Sequence, residues 1–223
     1  MTVPSYPLTM PTSPSNFRTS EWRIVRSVAV SVSPFTMKSE TADFGGAVWT
    51  TTVTLPPMLK ADAGAWQVFF MQLHGRHGSF LLGDPDAKTI QGSATGTMSA
   101  NGDHSVGAYT IQVDGLNASQ TTGFKKGDYV QFGSGATSKL HMIVEDIPTT
   151  SSGGATLEIE PPLKTAVAND SVIVYDSAKA VMRMDTNELS WNADQVSTYG
   201  CLLYTSDAAD DSLRVDLGGR RII

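Results

Sequence analysis

The residues best suited to chemistry in this 223-residue chain are its histidines and carboxylates. His74 and His77 stand close together in His74-Gly75-Arg76-His77, a spacing that on an unbroken helix would direct two imidazoles towards one metal ion. The glycine breaks such a helix, His104 and His141 lie in other segments, and the single cysteine, Cys201, cannot complete a ligand set. Exposed or capping histidines are the preferred reading. Gly83-Asp84-Pro85 puts a carboxylate in a loop, but Asp and Pro are turn formers, and a tight turn leaving a strand accounts for both. Glu158 and Glu160 fall on one face of a strand, whereas glycoside hydrolysis needs carboxylates on opposite sides of a sugar; they read as surface charge. Gly153-Gly154 lacks the Lys-Ser/Thr of a phosphate loop. No Gly-x-Ser-x-Gly elbow is present. The expectation is a non-enzymatic protein with no catalytic, cofactor-binding or metal-binding residues.

Composition narrows the classes further. Sixteen Lys+Arg against 22 Asp+Glu give a net charge of −6, which argues against binding nucleic acid by neutralising its backbone. Tyr109, Phe124, Tyr129 and Phe132, with few lysines near them, make a thin platform for stacking single-stranded bases. No apolar run approaches the roughly 20 residues of a membrane-spanning helix. The first residues have neither the basic start nor the apolar core of a secretory signal. One cysteine excludes a disulfide framework. Charged residues make up 17% of the chain, below the usual ~25%. With abundant Ser, Thr and Gly, that points to a β-rich protein partly covered by neighbours.

The last stretch, Cys201–Ile223, stands apart. It resembles the translation of a transposon-based sequencing-library adapter: TGT CTC TTA TAC ACA TCT GAC GCT GCC GAC encodes Cys201–Asp210, and GTA GAT CTC GGT GGT CGC CGT ATC ATT encodes Val215–Ile223. The residues between, Asp211–Arg214, have the length of a short index. Residues 201–223 are therefore set aside as an adapter artefact, excluded from fold reasoning and given no functional weight.

The elements that would position everything else are mostly strands. Four prolines in Met1–Asn16 make an extended arm. Trp22, Ile24, Arg26, Val28, Val30 and Val32 alternate with Arg23, Val25, Ser27, Ala29, Ser31 and Ser33, a period-two strand whose Ser-rich face is exposed or intersubunit. A turn is expected over Ser39–Gly46, then a Thr-rich strand over Val48–Leu55 ended by Pro56-Pro57. Lys60–His74 reads as a helix, with Ala61, Ala65, Trp66, Phe69, Phe70 and Leu73 on one stripe and Asp62 in the first turn. Trp66, Phe69, Phe70 and Leu73, with Phe80 of the short strand Ser79–Leu82, are the expected core anchors. Lys88–Val106 is poor in apolar residues. Five short strands follow at Tyr109–Val113, Tyr129–Phe132, Lys139–Glu145, Ala155–Glu160 and Ser171–Tyr175, separated by turn signals, which suggests a small closed barrel. A hairpin is expected from Ala180–Met184 and Glu188–Trp191. The resulting fold class is mainly β: a sandwich-like domain (1–85 plus 179–200) with one packed helix, interrupted by a five-stranded barrel of oligonucleotide-binding type (86–178).

The order of these pieces resembles a known family. An alternating strand with Trp, Leu55-Pro56-Pro57-Met58, Ala61-Asp62-Ala63-Gly64-Ala65-Trp66, Gly75, Gly78 and Phe80-Leu81-Leu82-Gly83-Asp84-Pro85 come first. Lys126–Phe132, Lys139-Leu140-His141 and Ala155–Leu163 continue it. Over residues 14–200 the chain resembles distal and minor tail proteins of long-tailed bacteriophages. The resemblance implies a virion component made in the host bacterial cytoplasm, a hexameric ring of identical subunits that contacts the tail tube protein and the tail hub or fibre proteins. Ser27, Ala29, Ser31, Thr50, Thr52 and Thr54 are the expected subunit-interface residues, since small and Thr-rich strand faces suit pairing across subunits. Nucleic acid and membrane are not expected partners. The alternative is a carbohydrate-binding module for the host surface; a tail-associated glycan hydrolase ranks last.

Overall fold

In a computed structural model the described residues are 4–13, 17–193, 199–200 and 202–207. The fold is mostly β, two five-stranded antiparallel sheets with a single packed helix among the described residues. The rest of the segment set aside at 201–223, and residues 14–16 of the proline-rich arm, lie outside the described residues.

The first sheet contains β1 (Thr19–Val32), β2 (Ser39–Thr54), β3 (Phe80–Leu82), β9 (Ala180–Met184) and β12 (Leu202–Asp207), in the order β1-β2-β12-β9-β3. The helix α1 (Lys60–Leu73) packs beside it. Its buried face is Ala63, Trp66, Phe69, Phe70 and Leu73. Ala61 and Ala65, expected on that stripe, are exposed; the large rings centre the buried face on Ala63, and the two small alanines turn outward. Phe69 meets Phe80 of β3 edge-on at 5.5 Å, and Trp66 meets Phe69 at 5.8 Å. All five expected anchors, Trp66, Phe69, Phe70, Leu73 and Phe80, are buried in this core. His74 caps the helix in the left-handed region, its N–H donating to the Met71 carbonyl at 3.3 Å.

The second sheet contains β4 (Gly96–Ala100), β5 (Thr110–Leu116), β6 (Tyr129–Phe132), β7 (Lys139–Ile143) and β8 (Ala155–Glu160), in the order β4-β5-β8-β7-β6. It is open and strongly curled. Residues 171–175, expected as a strand, make only isolated bridges, Val172 with Ser99 of β4 and Val174 with Gln131 of β6. They span the gap between the two edges. The strand that takes their place in the sheet, β4, comes from the segment poor in apolar residues. Its only core contributions are Met98 and Ala100, too weak a signal to stand out by period.

Two glycine signals read as turns are strand irregularities. The register of β1 on β2 shifts after Arg26–Ala47, so that Val28 faces Asp43 and residues 44–46 bulge from β2. Gly45 has φ +71° there, and its N–H donates to Asp43 Oδ1 at 2.8 Å. The strand therefore runs on through Ser39–Gly46, and the reversal sits at Ser33–Lys38. Asp114-Gly115 likewise lies inside β5, where Gly115 has φ +79° and a Cβ would come within 2.2 Å of the Thr97 carbonyl oxygen. The expected hairpin of Ala180–Met184 with Glu188–Trp191 is absent from the described residues. Instead β9 pairs with β3 and β12, and a two-residue pair, β10 (Asn192–Ala193) with β11 (Tyr199–Gly200), follows.

Residues 202–207, set aside from the sequence, occupy a slot between β2 and β9. Leu203, Thr205 and Asp207 point inward and Tyr204 outward. That strict alternation is what a slot with one covered face selects.

The sheets meet at Trp49. Its indole N–H donates to the Leu140 carbonyl of β7 at 2.9 Å, and its ring meets Tyr129 of β6 at 5.9 Å. Gln131 extends the seam, donating to the Ser138 hydroxyl at 3.0 Å while its Oε1 accepts the Lys179 N–H at 2.9 Å. Trp49→Phe keeps the apolar body but orphans a buried carbonyl, so urea denaturation is expected to show a loss of about 1–3 kcal/mol.

Candidate functional site

The most conspicuous surface is the far end of β1 and β2. From the bulge to the turn, residues 27–46 form a two-stranded arm in which all but Ser33 are exposed. β12 flanks β2 only over Thr50–Thr54, so beyond the root β2 has β1 as its sole strand partner among the described residues. The outer edge of β1 is unpaired there too among the described residues. Val28, Val30 and Val32, whose alternation predicts a core-facing side, are exposed, because the arm projects past the body that would cover them. Phe35 and Met37 at the turn are 94% and 77% exposed.

The structure places the expected interface residues on one side of this ladder. Ser27, Ala29 and Ser31 are exposed along the arm; Thr50, Thr52 and Thr54 are half-buried along the root, on the side away from Trp49 and Val53. Thr50 faces Arg23 and Thr52 faces Glu21 across the strands, and those two charges pair at 2.6 Å. The root is thus polar, while the arm carries small side chains here and valines opposite.

At the root of the arm lies a groove of about 760 Å³. One wall is the strand pair around Val25, Phe44 and Val48; the other is the second sheet's connections at Val106, Tyr109 and Pro162. Phe44, Val106 and Tyr109 are 70%, 63% and 47% exposed. Its cations already have partners. Arg26 donates to Glu160 at 2.7 Å, an ion pair that also ties the arm root to β8 and raises the guanidinium pKa. Lys164 pairs closely with Asp207. The groove is therefore apolar with its charges compensated. Sequence reading missed it because one wall comes from connections, where no periodicity marks an apolar residue, and only the fold brings them against the strand pair.

Behind the groove is a buried ionic cluster. Asp207, on β12, lies between Lys164 and Lys139, the latter at 4.0 Å and almost wholly buried. His141 of β7 is fully buried; its Nδ1–H donates to the Pro161 carbonyl at 2.6 Å, and Nε2 has no hydrogen-bond partner. Burial holds its pKa down at about 4, with Lys164 and Lys139 acting in the same direction against the hydrogen bond.

The other residues with chemical promise serve local structure. His74 is the exposed helix cap, and His77 stacks edge-on against Tyr6 at 5.7 Å. Asp84 accepts the Asp86 N–H at 3.1 Å within a turn. Glu158 is exposed. Phe124, Tyr129 and Phe132 are buried, leaving Tyr109 as the exposed member of the four aromatics considered for base stacking. Residues 4–13 of the proline-rich arm lie on the chain's own helix and β3, through Leu8 N–H to the Ser79 carbonyl at 2.8 Å and the Tyr6 hydroxyl to the Gln72 carbonyl at 2.7 Å. Among the described residues no group of three or more His, Cys, Asp or Glu is placed to hold a metal ion.

Protein-family models give no match to this chain, and no curated protein matches it.

Two measurements test the buried cluster. Replacing Asp207 by Asn removes the buried carboxylate that Lys164 and Lys139 share and is expected to cost about 3 kcal/mol in urea denaturation. His141 binds its proton less readily folded than unfolded, so stability is full above pH 6.5 and falls as the pH drops towards 4. Between pH 7 and pH 5 the expected loss is about 2 kcal/mol, and the His141→Gln variant is expected to show a flatter profile.

Proposed function

We propose that this chain is a structural subunit that associates with copies of itself. In this reading it is a ring-forming component of the tail tip of a long-tailed bacteriophage, joining the tail tube to the hub or fibre proteins. It acts as a scaffold without catalysis. The first sheet and its helix serve as a sandwich-like ring-forming domain, and the curled second sheet, of oligonucleotide-binding type in shape, decorates it.

The observation that carries this reading is the arm. A two-stranded ribbon with no third strand and no packing beneath it is marginal in water. A long free edge with exposed valines is an aggregation hazard unless something covers it. A neighbouring subunit supplies that cover, and identical subunits joined head to tail close into rings. The order of motifs that resembles tail proteins supports the same reading.

Carbohydrate binding has one observation in its favour, the exposed rings of Phe44 and Tyr109 in a single groove. Sugar recognition also needs polar groups converging on hydroxyls, and the charged groups in this groove, Arg26 and Lys164, are engaged with Glu160 and Asp207.

Light scattering on the purified chain over a range of concentrations tests the association. Oligomers of one defined order are expected, and deleting residues 28–43 is expected to leave a monomer. A wild-type chain that stays monomeric at the highest concentration, and does not join tail tubes, contradicts the proposal.

A further inference from the structure

We infer that the tip of the arm of one copy seats in the groove at the root of the arm of the next. Phe35 and Met37 are the knob; Val25, Phe44, Val106 and Tyr109 are the hole. The inference rests on the self-association proposed above and specifies its contact.

Knob and hole are both apolar and both uncovered. Phe35 is 94% exposed and Met37 77%, at the end of a ribbon; the hole has about 760 Å³ of space between two rigid walls. They cannot meet within one molecule. Val32 lies six residue steps along β1 from Arg26, and at about 3.3 Å per step the tip stands roughly 20 Å from the groove. Strand pairing keeps the arm extended and prevents it from folding back. A patch that matches a pocket elsewhere on the same chain makes a heterologous contact, the kind that propagates from copy to copy.

The size is suitable. Phe35, Phe44 and Tyr109, weighted by their exposure, bring roughly 400 Å² of ring surface at about 200 Å² each. Met37, Val30, Val32, Val25 and Val106 add to it, against the roughly 1,600 Å² in total that a standard interface buries. Charge allows the approach, because Arg26 and Lys164 at the groove are already neutralised by Glu160 and Asp207. No buried cation would be left without a partner when the groove closes over the knob.

Disulfide trapping tests the contact in the full chain with Cys201→Ser as background. Phe35→Cys and Val106→Cys are made in separate chains and mixed under mild oxidation. A covalent dimer of one variant with the other is expected, with little of either homodimer. A chain carrying both cysteines is expected to give a ladder of covalent oligomers. Independently, Phe35→Asp and Val106→Asp are each expected to weaken association by about ten- to a hundredfold in sedimentation. The double variant is expected to be little worse than either alone, since both remove one contact. Circular dichroism matching the parent separates this effect from misfolding; if Val106→Asp fails to fold, Phe35→Asp on the exposed tip carries the test. Defined oligomers that neither trap nor respond to these changes overturn the inference and leave self-association standing. A strictly monomeric parent overturns both. Loss of binding to bacterial surface polysaccharide in Val106→Asp, with oligomer size unchanged, shows that the groove holds a glycan and also overturns it.

Discussion

Trp49 is the constraint on which the rest of the molecule depends. It sits on β2 three residues beyond the bulge, in the strand that leaves the body as half of the arm. Its ring fills the core of the first sheet, and its indole N–H satisfies a carbonyl of the second. The two sheets, which also share Tyr129 and Leu140 in one apolar core, are thereby tied to the strand that carries the arm. The edge contact with Tyr129 adds shape to the join, and burial pushes the Tyr129 phenol up to about 12, with Asp84 contributing.

What the body supports is a surface at odds with life as an isolated chain. Its core packs aromatic rings from helix and strand edge to face. The arm has no such support. Its valines, Phe35 and Met37 meet water, and the edge of β1 offers free backbone groups. Natural strands with that much exposed apolar surface are blunted by charge, proline or cover. Here the root carries Arg23 with Glu21 and Arg26 with Glu160, and the outer reach carries Pro34, Lys38, Glu40 and Asp43 beside its uncovered valines.

Much of the framework was legible in the sequence for simple reasons. Alternation in β1 and the Thr-rich run of β2 announce strands, and the large rings of α1 announce a packed helix. Trp66, Phe69, Phe70, Leu73 and Phe80 could be named because each buries a large apolar surface at the right period. What period cannot show is whether a partner exists on the apolar side, so Val28, Val30 and Val32 looked like core. Glycine was ambiguous in the same way. Gly45 and Gly115 signal positive φ, which serves a turn or a bulge equally well. β4 was hidden because a strand that contributes only Met98 and Ala100 to the core barely departs from loop composition. The groove was invisible because it sets the β1–β2 pair against connections that only the fold brings beside it.

The bulge at Phe44–Gly46 has a geometric consequence. The arm departs from the body at one irregular step, so its heading is governed by a handful of torsions rather than by the whole sheet. In an assembly built by such limbs, a few degrees there would be multiplied at every successive joint. The same brick would then close into a flat circle or wind into an open spiral according to the angle set at a single pair of glycines.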